Sequence, residues 1–195
     1  MAPENPAETT AGPAGQARVG TVDEEMKKIY EEMKSRAPEV PDYIRLLKSG
    51  SLIERVKSAE FLGETGDGRG ILPLIDALAD PSTTVQYVAA KSLGMLGDKR
   101  AVDPLIRVLK SEDKWVRLGA AHSLGMLGDP RAVEFIIPLL QDTHHDLRAH
   151  AAWALGKLGD PKAVGPLKAL LKDPREDVSR EAKAALETLG VREMP

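Results

Sequence analysis

The chain contains no cysteine. That removes disulfide staples, thiol catalysis and cysteine metal sites together, and it fits a reducing compartment, so a cytoplasmic location is expected. Aromatic residues are scarce, with two Trp, three Tyr and two Phe among 195 residues. A core with so few rings must be filled by Leu, Ile, Val and Ala, and the position of each ring becomes informative. No apolar run approaches the roughly 20 residues that a membrane-spanning helix needs, and the N-terminus carries no charged-then-apolar signal pattern, so no membrane partner is expected. Nor does one charge dominate: a formal net charge of −3 argues against a surface built to neutralise many phosphates. Catalytic groupings are missing too. There is no Ser/His/Asp set in a strand context and no phosphate-cradling glycine loop, so neither an enzyme nor a cofactor is expected.

What the chain has in quantity is repetition. Ser92-Leu93-Gly94-Met95-Leu96-Gly97-Asp98 and Ser123-Leu124-Gly125-Met126-Leu127-Gly128-Asp129 are identical, and Phe61 to Asp67 and Ala154 to Asp160 are close variants at the same 31-residue spacing. A period of this length without strand-like alternation predicts stacked helix pairs. Phased on the Gly-Asp junction, the units run 36–66, 67–97, 98–128, 129–159 and 160–190. In each, a first helix follows an N-capping Asp, with Pro130 and Pro161 at its first position. Gly66, Gly97, Gly128, Gly159 and Gly190 suit the left-handed position that ends the second helix. Pro73, Pro104 and Pro166 resist this scheme, since a helix-interior proline loses a hydrogen bond; a bend or tightened turn is expected there.

Ahead of the repeats, residues 1–21 are too poor in large apolar side chains to order themselves and read as a flexible tail. Met26, Ile29, Tyr30 and Met33 then mark one face of a capping helix over 23–35. Residues 22–195 are expected to form one repeat domain. Its fold class is all-α, a right-handed α-solenoid of about five helix pairs plus the N-terminal cap.

The pattern Val116-Arg117-x-x-Ala120-Ala121-x-Ser123-Leu124-Gly125-x-Leu127-Gly128-Asp129-Pro130-Arg131-Ala132-Val133 resembles the HEAT-like repeats named after phycobilisome lyases, in their short 31-residue form. The resemblance covers roughly residues 36–190. Gln86 and Ser179 depart from the motif arginine, Glu54 from the apolar position before it, and Phe135 from the helix proline. The resemblance implies a right-handed α-solenoid that binds macromolecules on its inner face. The lyase name carries no activity by itself.

On the second helices one set of positions faces away from the core: Thr84, Tyr87, Lys91 and Met95, then Trp115, Leu118, His122 and Met126, then Asp146, Ala149, Trp153 and Lys157. In the resembled repeats these are the variable positions of the inner surface. Both tryptophans, a tyrosine and two methionines meet there, as at a protein-interaction site. Packing between repeats is the competing role. The binding set is taken as Tyr87, Lys91, Met95, Trp115, Leu118, His122, Met126 and Trp153, for a protein or peptide partner or for a second copy of the chain.

Other candidates are weaker. His145 and His150 lie about 140° apart around a helix and His144 sits in a turn, so a shared metal site is disfavoured. Nor is any histidine followed by Glu, as in the His-Glu pairs of helical-repeat di-iron hydroxylases. Arg69, Lys99, Arg100, Arg131 and Lys162 form a basic edge, read as pairing with neighbouring repeats' carboxylates rather than as a nucleic-acid surface. Arg55, Arg117 and Arg148 suggest a ladder of pairs to Asp67, Asp98 or Asp129. The expected function is a non-enzymatic interaction scaffold. The alternatives are an enzyme or subunit of the bilin-lyase type and, behind it, a nucleic-acid-binding protein.

Overall fold

A computed structural model describes Lys27, Lys28 and residues 39–191. Backbone contacts divide the chain into residues 1–38 and 39–195. In the first unit Lys27 and Lys28 are helical and exposed. The tail expected over 1–21 and the rest of the capping helix expected over 23–35 lie outside the described residues.

The second unit is an α-solenoid, with ten α-helices and no strand among the described residues. The first helices of the five pairs are α1 (Val40–Ser49), α3 (Ile71–Ala77), α5 (Val102–Val108), α7 (Val133–Ile136) and α9 (Val164–Leu170). The second helices are α2 (Leu52–Glu64), α4 (Thr83–Leu96), α6 (Lys114–Leu127), α8 (His145–Leu158) and α10 (Glu176–Thr188). Consecutive second helices pack side by side along the array, whereas each first helix packs chiefly on the second helix of its own pair.

Each connection is built from the Gly-Asp junction. Gly66, Gly97, Gly128, Gly159 and Gly190 have φ between 63° and 77°, the left-handed region that costs other residues a steric penalty. The Asp that follows does not start an α-helix directly. Asp67, Asp98, Asp129 and Asp160 each cap a single 3₁₀ turn by accepting the N–H two residues on. The α-helix begins only afterwards. Pro73, Pro104 and Pro166 therefore occupy the third residue of α3, α5 and α9, within a first turn whose N–H groups have no intrahelical partner. The inserted turn is what makes these prolines harmless. In the fourth pair Phe135 takes the proline position and Pro138 comes three residues later. There α7 stops at Ile136 and the chain passes into a 3₁₀ stretch, Ile137–Gln141.

The core is laid down in rows with the period of the sequence. Leu62, Leu93, Leu124 and Leu155 on the second helices, and Leu74, Leu105, Ile136 and Leu167 on the first, are fully buried. Each such side chain contributes about 1.5–3 kcal/mol, more than an exposed ion pair supplies, so the leucine rows hold the stack. Small residues set how closely the second helices approach. A Cβ on Gly94 would lie 2.9 Å from the Ser123 Cα, one on Gly125 2.9 Å from the Ala154 Cα, and one on Gly156 2.9 Å from the Ala185 Cα. Ser123 also donates from Oγ to the Ala90 carbonyl at 2.8 Å, satisfying a fully buried hydroxyl.

Between repeats runs an ion-pair ladder whose partners differ from those expected. Arg55 meets Asp80 at 2.8 Å, Arg117 meets Asp142 at 3.0 Å and Arg148 meets Asp173 at 2.8 Å. The partner is the Asp closing the next pair's first helix, not the junction Asp, which is occupied by its own 3₁₀ turn. Each arginine also donates to carbonyls of its own interhelical turn. One rung is absent. Gln86 stands where the arginine would be and Ser111 where its aspartate would be, and Gln86 donates instead to the Asp80 carbonyl at 2.6 Å.

Candidate functional site

The second helices bring the variable positions together on α4, α6 and α8. Met95, Trp115 and Met126 are about half exposed, at 50%, 51% and 48%. Lys91 is exposed, and Tyr87, His122 and Trp153 are half-buried. Leu118 departs from expectation. It is only 8% exposed and joins the core, because α4 and α6 close on each other beside it. A Cβ on the adjacent Gly119 would stand 3.0 Å from the Tyr87 ring.

The aromatic residues form contacts from one repeat to the next. The Tyr87 ring lies edge-on to Trp115, with centroids 6.4 Å apart. His122 stacks on Trp153 at 4.4 Å with the rings 9° from parallel. The Trp153 indole also occupies the space over Gly125, where a Cβ would come within 2.8 Å of its Cζ3 atom. Packing and display are thus combined: Tyr87 and Trp153 tie neighbouring helices together, while Trp115, Met95 and Met126 present apolar surface.

Every ring of the set except His122 carries a lysine. The ammonium of Lys114 lies 4.7 Å from the Trp115 centroid, that of Lys91 5.6 Å from Tyr87, and that of Lys157 5.8 Å from Trp153. These are cation–π distances. Lys114 was not singled out from sequence. It also reaches Asp146 of the next repeat at 3.3 Å, and the same 32-residue step joins His145 to Asp177 at 2.8 Å.

Beside the stack, His122, Ala149, His150, Trp153 and Glu181 line a pocket of about 190 Å³. His150 places Nδ1 2.8 Å from the Asp146 carbonyl, which can only accept, so Nδ1 carries a proton. Burial, then the charges of His150 and Lys91, push the His122 imidazole below its ordinary range. The remaining histidines are engaged separately, His144 with Asp142 and His145 with Asp177. Among the described residues no group of three or more His, Asp or Glu could hold a metal ion.

The basic edge is largely self-contained. Arg69 and Arg100 pair with the capping Asp67 and Asp98 of their own turns, rather than with a neighbouring repeat as expected. Arg131 bridges Asp129 and Asp103, and Lys162 reaches Glu134 across the repeat boundary. Hydrogen bonds from the arginine side chains hold the carboxyls of Asp67, Asp98 and Asp129 below their usual range. Near this edge a shallow groove of about 730 Å³ runs past Arg131 and the exposed Phe135.

A stack of helix pairs with one exposed, repeat-aligned face is the architecture of a helical-repeat scaffold. The family model for HEAT repeats matches residues 71–145 and 104–190, and the chain belongs to that family. It resembles a chain from the complex of CpcE and CpcF of phycocyanin lyase from Nostoc sp. PCC7120. The TM-score is 0.72 and the identity 25%, over 95% of this chain and 70% of that one. The phycobilisome-lyase type of repeat is thereby supported. A structure of YibA from Escherichia coli matches at TM-score 0.63 and 20% identity, over 94% of this chain and 67% of that chain. A designed armadillo repeat protein in complex with the peptide (KR)4 matches at TM-score 0.60 and 20% identity, over 84% and 86% of the two chains. These last two show the fold alone. No curated protein matches the sequence. No helix among the described residues is long and apolar enough to cross a membrane.

Proposed function

We propose that the chain is a non-enzymatic scaffold that binds a protein or peptide segment on the exposed face of its second helices, through Tyr87, Lys91, Met95, Trp115, His122, Met126 and Trp153. The observation that carries this reading is the half-exposure of Met95, Trp115 and Met126 at aligned positions of adjacent repeats. Burying a large apolar side chain is worth about 1.5–3 kcal/mol, so three of them left half in water on one face favour a partner that covers them. The test is capture from extracts of the source cell by the full chain and by a Trp115→Ser, Met126→Ser variant. Both substituted side chains are exposed, so the variant should keep the parent's helical circular dichroism and melting. It should lose a partner that the parent retains on stringent washing. Equal capture by parent and variant would overturn the proposal.

A second reading, a subunit of a bilin-lyase-type enzyme, draws on the likeness to the phycocyanin lyase chain. The size of the pocket beside His122 weighs against a bound tetrapyrrole there, because small-molecule sites run to about 300–1,000 Å³ and this one holds about 190 Å³. A bilin whose absorption spectrum does not change on titration with the chain would count against it directly.

A further inference from the structure

The charges around the candidate face say what kind of segment it would take. Lys91, Lys157 and Arg180 make no ion pair among the described residues. Two of the carboxylates that share these rows are already engaged: Asp146 pairs with Lys114, and Asp177 pairs with Arg175 and is hydrogen-bonded to the His145 ring. Glu181, on the wall of the small pocket, is left against three free cations. From α4 to α10 the face is therefore basic and apolar together, whereas its α2 end carries the exposed Glu60 and Glu64.

The same cations decide between two classes of partner. Sequence-tolerant binding of single-stranded nucleic acid needs open aromatic faces on which bases stack. Here Lys91, Lys114 and Lys157 sit over Tyr87, Trp115 and Trp153, and His122 covers Trp153. The thioethers of Met95 and Met126 are left half exposed beside these rings and suit aliphatic side chains.

Resting on the scaffold reading above, we infer that this face takes an extended acidic peptide segment, whose carboxylates meet Lys91, Lys157 and Arg180 and whose apolar side chains lie on Trp115, Met95 and Met126. Packed helix axes stand about 8–10 Å apart and an extended chain advances about 3.3 Å per residue, so three residues step from one second helix to the next. Lys91 on α4, Met126 on α6 and Lys157 on α8 lie within about one turn of a common line across the helices and specify the order acid–x–x–apolar–x–x–acid, whereas Arg180 stands about two turns back along α10 from that line, so its acid follows about four or five residues later. The acidic stretch lies over α4 to α10 and stops short of Glu60 and Glu64.

Selection from a phage-displayed random dodecapeptide library on the full chain tests this, with enriched peptides remade carrying fluorescein and measured by anisotropy. The expected result is enrichment of acids three residues to either side of an apolar anchor. Affinity should fall about three- to tenfold in the Lys91→Gln, Lys157→Gln variant, whose melting should match the parent's, and should weaken with added salt. Peptides that depend on Trp115 and Met126 but carry no acids, or carry basic residues, would overturn the acidic assignment and leave the scaffold reading standing. A library yielding no peptide whose binding the Trp115→Ser, Met126→Ser variant loses would overturn both. Tight binding of a labelled oligouridine, abolished by the Lys91→Gln, Lys157→Gln variant, would replace the peptide with nucleic acid.

Discussion

Replacing Gly125 with Ala sets two quantities of known sign against each other. In an isolated helix the change is favourable by about 1 kcal/mol, because alanine restricts the unfolded chain and glycine does not. In α6 the added Cβ would meet the Ala154 Cα at 2.9 Å, the Ala154 Cβ at 3.0 Å and the Trp153 ring at 2.8 Å. Two of these atoms belong to Ala154 of a helix packed on both sides, so α6 and α8 must separate by about half an ångström in an interior that is close-packed. Overpacking of this kind costs about 1–3 kcal/mol, and its rigid partner places the site in the upper part of that range. The net expectation is a loss of about 1–2 kcal/mol. Gly165, also helical, has nothing beyond its chain neighbours within 4 Å of where its Cβ would be, and Leu72 and Asp103 carry side chains at the equivalent position before a proline, so Gly165→Ala should gain about 0.5 kcal/mol instead. Urea unfolding followed by circular dichroism would read both as shifts in midpoint of opposite sign. A Gly125→Ala protein as stable as its parent would show that the second helices are not held at the observed separation.

Restoring the absent rung with Gln86→Arg and Ser111→Asp together should raise the unfolding midpoint, while each single change should not, giving a favourable coupling in a double-mutant cycle. Arg148→Met should cost about 1–2 kcal/mol by leaving the mostly buried Asp173 without its partner. The Arg148 side chain is the main cause holding the Asp173 carboxyl below its usual range. Burial raises the Asp142 carboxyl, but the N–H and ring of His144, with Arg117, outweigh it and the net shift is again downward. A depressed carboxyl stabilises the fold above its unfolded value of about 4 and loses that contribution as pH falls through its folded value. The acid limb of the stability profile should therefore flatten in Arg148→Met, and an unchanged limb would contradict the ladder.

The sequence was most informative where one residue type serves one local purpose. The left-handed glycines follow from the Gly-Asp spacing alone, and the fully buried leucine rows follow from the period, because both depend on contacts repeated identically in every unit. Contacts that depend on lateral register were harder to anticipate. The arginine ladder reaches 25 residues forward because adjacent pairs are offset so that an arginine near the start of one second helix meets the turn of the next pair. Leu118 occupies a position that is half-exposed as Tyr87 and Ala149 in neighbouring repeats, yet it is buried where Gly119 lets α4 approach. At Pro73, Pro104 and Pro166 the spacing predicts a bend or tightened turn, and the 3₁₀ turn ahead of each helix is that turn, placing the prolines in a first turn. Lys114 carries no signal in the repeat pattern because its role joins two neighbours, Trp115 beside it and Asp146 in the next repeat.

The central claim is that the α4–α6–α8 face binds a segment of polypeptide. The most direct measurement is the affinity of one library-selected peptide for the parent, for Met95→Ser, Trp115→Ser, Met126→Ser combined, and for Phe135→Ser near the opposite edge. Four exposed side chains are changed in all, so folding should be retained throughout. The predicted result is loss of binding in the triple variant and unaltered affinity in Phe135→Ser; binding retained by the first, or lost by the second, would contradict the account.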